Sequence, residues 1–153
     1  MIADIIAEDR NEEPVLFVEV KVRPASREDL EQFTSHLLAA DSPFFYGMLV
    51  DPEKIVVLRR DVEHPDSLVE LSTADVLSQY VPDYREQASK RGTPGIFHDY
   101  LRVLVDVWLD DLASHWKSDS PPGAQELSRI GLLERLENGT TRSEVILDGD
   151  RLR

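Results

Sequence analysis

Val15 to Val22 carries the clearest alternation in the chain: Leu16, Val18, Val20 and Val22 fall on one side, and Val15, Phe17, Glu19 and Lys21 on the other. A period of two is that of a strand, whose successive side chains point to opposite faces. The first side is apolar throughout. The second begins apolar and ends charged, as suits a strand that lines a cleft from one side. Upstream, Ile2–Ala7 is short and apolar with Asp4 inside it, and Asp9–Pro14 is polar and turn-like, so two strands joined by a tight loop are expected. Leu30, Phe33, Leu37 and Leu38 then switch to helical spacing. Ser26 is placed to cap that helix, Asp29 stands three residues on to answer it, and Asp41-Ser42-Pro43 closes it, which predicts a helix over Arg27–Ala40.

Phe44–Val50 and Ile55–Arg60 are strand-like runs around Asp51-Pro52-Glu53-Lys54, whose Asp-then-Pro order suits a type I turn and a hairpin. Val62–Leu71 reads as a polar connection, Ser72 as the cap of a short helix reaching Tyr80, and Asp83–Pro94 as a charged loop or an irregular helix. Ile96–Lys117 is the longest helical pattern: Phe97, Leu101, Leu104, Trp108 and Leu112 share one face, and Asp99, Arg102, Asp106 and Asp110 form a polar stripe. Gln125–Ile130 looks helical. Asn138-Gly139 is open to two readings, a type I′ turn between strands Leu132–Glu137 and Thr140–Leu147, or a helix C-cap. Gly149–Arg153 reads as a frayed end. The order implies a single α/β domain over residues 1–153, of the mixed α+β kind, with a ββαββ core over 1–61 and a mainly helical part over 72–147. A central mixed sheet of about four strands flanked by helices follows, and a helical bundle or a β-sandwich is excluded.

At 153 residues and 41% hydrophobic, the chain can bury one core. No apolar run is long enough to cross a bilayer, and Met1–Arg10 is acidic where a secretory signal is basic, so a cytoplasmic location is expected. The absence of cysteine excludes disulfides, thiolate metal sites and cysteine nucleophiles. A net charge of −13 disfavours adhesion to DNA or any other phosphate polymer; it reads first as a solvated acidic surface and second as an acidic patch that meets a basic protein partner.

Asp4, Glu19 and Lys21 are the residues that could carry chemistry. Glu19 and Lys21 share one side of their strand. A loop over Arg10–Glu13 would set Asp9 opposite Pro14, and counting back sets Asp4 opposite Glu19; a slip of one residue would turn Asp4 away. Two carboxylates with the Val20 carbonyl are the oxygen ligands that Mg²⁺ or Mn²⁺ takes. Such an ion acidifies a bound water and polarises a phosphodiester, and Lys21 would place the water and offset the developing charge. The histidines His36, His64, His98 and His115 lack metal-ligand spacing and read as surface or helix-end residues, although His36 stands one turn after Gln32.

Ala3-Asp4, followed by Glu19-Val20-Lys21 at the end of a hydrophobic strand, resembles the signature of the PD-(D/E)XK, or restriction-endonuclease-like, nuclease superfamily, with Ala3 in place of the usual proline. The helix bearing Gln32 and the Tyr46–Val50 strand with its hairpin partner are similar to the nuclease domains at the start of type I restriction motor subunits and their small relatives. The resemblance covers Met1 to Arg60. It implies a restriction-endonuclease-like sheet and Mg²⁺- or Mn²⁺-dependent hydrolysis of DNA, with Asp4, Glu19 and Val20 on the metal and Lys21 and Gln32 as the catalytic residues. The family core begins with a helix and usually a strand before the aspartate strand. Here the Ile96–Lys117 helix, a second copy of the chain or an upstream segment is expected to fill that place. The alternative is a catalytically inactive nuclease-like scaffold that serves as an acidic protein-interaction module.

Overall fold

The computed structural model describes residues 2–146, so the stretch read as frayed, Gly149–Arg153, lies outside the described residues. Strands β1 (Ile2–Glu8) and β2 (Pro14–Val20) form an antiparallel hairpin. Asp9 closes its loop: Oδ1 accepts the N–H groups of Asn11 and Glu13 at 2.8 and 3.0 Å, and the Asp9 N–H donates to the Glu13 carbonyl at 2.9 Å. Ile5 pairs with Val18, Ile6 with Phe17 and Ala7 with Leu16, but Glu8 pairs with Pro14. Val15 is therefore an extra residue, a bulge that turns it into the same core as Leu16 rather than to the Phe17 side that strict alternation predicts.

Helix α1 (Arg27–Leu38) stops two residues short of its predicted end and leads to β3 (Tyr46–Val50), which lies parallel to β2. β4 (Lys54–Arg59) returns antiparallel beside β3, as the hairpin reading requires. The expected polar connection ends instead in a strand, β5 (Leu68–Ser72), paired with β4. Only Val69 in it is buried, so an edge strand showed no apolar run to read. Ser72 caps α2 (Thr73–Leu77), accepting the Asp75 N–H, and α3 (Tyr84–Lys90) resolves the charged stretch as a helix. The long α4 (Pro94–His115) starts with its proline in the first turn, where no N–H is missed.

Two short helices follow, α5 (Ala124–Arg129) and α6 (Leu132–Leu136). Leu132–Glu137 is thus not a strand. Asn138, at φ 61°, and Gly139, whose N–H donates to the Leu136 carbonyl at 2.8 Å, end α6 as a C-terminal turn. The chain then enters β6 (Thr140–Ile146), which pairs antiparallel with β1. The sheet has six strands rather than about four, in the order β5-β4-β3-β2-β1-β6, mixed and flanked by helices. Among the described residues no helix is long and apolar enough to cross a membrane.

Both faces of the sheet are buried. On one, Val18, Met48 and Val57 meet Leu101, Trp108 and Leu112 of α4 together with α5 and α6. On the other, Phe17, Phe44 and Leu49 meet Phe33 and Leu37 of α1. Buried polar groups pin the layers together. The Tyr46 hydroxyl donates to the Ile130 carbonyl at 2.8 Å, and Trp108 Nε1 donates to the Pro122 carbonyl at 2.8 Å.

Asp51, 1% exposed, joins three segments. Its Oδ1 accepts the N–H groups of Glu53 and Lys54 at 2.7 and 2.8 Å, its Oδ2 accepts that of Ala25 at 2.8 Å, and its carbonyl accepts the Thr73 hydroxyl at 2.8 Å. The β3–β4 turn, the approach to α1 and the start of α2 are fixed by one residue. Replacing Asp51 with alanine removes the acceptor for three N–H groups, and we expect a loss of about 3 kcal/mol, read from the urea midpoint at unchanged slope. Asp51→Asn, which keeps one acceptor oxygen, should lose clearly less.

Candidate functional site

The polar residues singled out by the sequence lie at the end of β2. The paired residues of β1 and β2 end at Ile5 with Val18, one residue before Asp4 and Glu19. Ala3 and Ile5 fall in different cores, so the strand alternation breaks at Asp4, and the two carboxylates do not converge. Asp4 Oδ2 accepts the N–H of Val20 at 2.6 Å, and Asp4 Oδ1 lies 2.9 Å from His98 Nε2 on α4. Glu19 Oε1 lies 3.3 Å from His36 Nδ1 on α1, and Glu19 Oε2 lies 3.9 Å from Lys21 Nζ. α4 and α1 cover opposite faces of the sheet, so each carboxylate is held from a different side. The Asp4 and Glu19 side chains are only 17% and 14% exposed, which makes these contacts less open to water than ordinary surface pairs.

Lys21 continues the ladder through its N–H, which donates to the Val50 carbonyl at 2.7 Å, and keeps its side chain half-buried beside Glu19. Val20 is buried, with its N–H taken by Asp4. Gln32 is exposed on α1, and it is His36, one turn further on, that reaches Glu19. The sequence marks His98 only as a surface or helix-end residue. A signal for it existed, because it adjoins Phe97 and Leu101 and so flanks the buried stripe of α4. Which strand that flank would meet is set by the tertiary fold.

Asp4 and Glu19, on neighbouring strands, are donors of the right kind for Mg²⁺ or Mn²⁺. Among the described residues, however, no group of three or more histidine or acidic side chains is gathered where an ion could be held. The donors fit the metal in chemistry but fall short in number.

The reach of His36 depends on how α1 is anchored. Ser26 Oγ accepts the Asp29 N–H at 3.1 Å, and Asp29 Oδ2 accepts the Ser26 N–H at 2.8 Å, completing the capping box foreseen in the sequence. At the far end, Arg60 donates to the carbonyls of Ala39, Ser42 and Phe44. The Ser26 N–H, with the Ser26 hydroxyl and the Arg23 guanidinium, holds the Asp29 carboxyl below the ordinary carboxylate range.

Comparisons of the chain with protein-family models, with curated proteins and with solved structures return no match.

Ser26→Ala removes one half of the box and should cost about 1 kcal/mol in thermal or urea unfolding. Hydrogen exchange should quicken in the first turn of α1 and stay unchanged in α4. Asp29 has a depressed folded pKa, so its contribution is present above its ordinary value of 3.8 and is lost as pH falls through the lowered one.

Proposed function

We propose that the chain is a nuclease-like α/β domain acting in divalent-metal-dependent hydrolysis of phosphodiesters, with DNA as the expected substrate. One observation carries this reading: the Glu19 carboxylate and the Lys21 ammonium lie 3.9 Å apart at the end of β2, and Asp4 of the adjacent strand accepts the Val20 N–H between them. The topology gives further support. β6 lies antiparallel beside β1, and α4 packs over β1 and β2, so a strand and a helix from late in the chain stand beside the aspartate strand. The resembled core has a helix and usually a strand before its aspartate strand, and these late elements would stand in for them. To hold an ion together, Asp4 and Glu19 would have to turn from His98 and His36 toward each other, and bound Mg²⁺ would then supply an acidified water and a polarised phosphate oxygen. Lys21 would offset the negative charge that builds on the phosphate. His98 and His36 act through the carboxylates they touch and set their directions.

A second reading, the inactive scaffold that binds proteins, is favoured by a different observation. Each carboxylate already has protein partners, and the chain's charge of −13 opposes a phosphate substrate.

Calorimetry with Mn²⁺ and a DNA cleavage assay separate the two. The nuclease reading expects Mn²⁺ binding that Glu19→Ala abolishes, and cleavage that Lys21→Ala lowers by about 100-fold or more. Cleavage untouched by Lys21→Ala would remove the mechanism. No Mn²⁺ binding at millimolar concentration, together with no cleavage, would leave the scaffold.

A further inference from the structure

The buried stripe of α4 has a counterpart on the side that faces water. Ile96, Val103 and Val107 are 71%, 50% and 47% exposed. At 3.6 residues per turn they fall within about 40° of one another around the helix axis, in a line roughly 16 Å long. Single exposed apolar side chains are ordinary, but these three are aligned along one helix and form an apolar strip that a partner could cover. One flank of this line carries Asp99 and Asp110, both exposed, and the half-buried Asp106. Over its whole length α4 has four aspartates against a single arginine, Arg102, and no lysine. A line of apolar side chains edged by aspartates calls for an occupant of the same pattern and opposite charge. A second copy of this chain does not answer to that, because it would bring one −13 molecule against another.

We propose that the solvent face of α4 docks a basic amphipathic helix of a partner protein, its apolar side on Ile96, Val103 and Val107 and its lysines or arginines toward Asp99, Asp106 and Asp110. The helix must supply about three turns of apolar residues at i, i+4 and i+7 spacing to cover the line. The proposal does not depend on the nuclease reading.

The probe is a synthetic amphipathic helix of leucine and lysine, with a leucine–glutamate peptide of the same pattern as control. Each is titrated calorimetrically at low salt and followed by amide chemical shifts. The lysine peptide is expected to bind, with shifts confined to the stretch from Ile96 to Asp110 and an affinity that falls as salt rises. Val103→Ser/Val107→Ser should weaken it at least ten-fold, and so should Asp99→Asn/Asp110→Asn. All four positions are on the outer side of the helix, and unchanged circular dichroism and thermal midpoints verify that the variants are folded. Equal affinity for the Val103→Ser/Val107→Ser protein would overturn the proposal by showing general adhesion to an acidic surface. Equal binding of the glutamate peptide would overturn it by showing adhesion without charge selection. A concentration-dependent dimer abolished by the same serine substitutions would assign the face to a second copy instead.

Discussion

Two parallel neighbours in a sheet cannot be joined by a turn, and the pairing of β2 with β3 is the only parallel one among the described strands. The chain must leave β2, cross over one face and re-enter at the other end, and α1 is that crossing. The crossing fixes much else. It lays Phe33 on Gly47, where even a Cβ would come within 2.7 Å of the phenylalanine ring, so the helix sits as low on the sheet as it can. It leaves the opposite face to be covered by the later helices. It also gives β3, with all five residues buried, the continuous apolar character of a strand enclosed on both sides.

The polar end of β2 owes its form to that enclosure. Where the sheet is covered on both sides, a charged side chain near its end meets whichever helix passes, and here a histidine from each layer does so.

Local signals were legible and non-local ones were not. The period of β2 from Leu16 onward, the capping box at Ser26 and Asp29, the Asp51-Pro52 turn and the apolar stripe of α4 each lie within one stretch of chain, and each appears where the sequence points. β5 escaped because an edge strand with one buried residue has no pattern to show. The bulge at Val15 escaped because an extra residue in a ladder leaves no trace in a run of apolar side chains. That Asp4 and Glu19 lie toward the same end of neighbouring strands could be counted out along the chain. The direction of each carboxylate could not, since His98 and His36 are brought there by helices whose placement depends on the whole sheet.

β1 sits between β2, its close neighbour in sequence, and β6, which comes from the far end of the described chain, with Ala3 opposite Val145. A ribosome delivers these partners at very different times. Until the last strand emerges, one side of β1 offers a row of unsatisfied amides and carbonyls to any passing chain, and the intermediate that waits is open to mispairing. Contacts between such distant segments also slow the search for the native state, because a long loop must close before the pairing rewards it. The place of the aspartate strand between β2 and the late-arriving edge strand, which shelters it in the finished molecule, is thus what leaves it unguarded during synthesis.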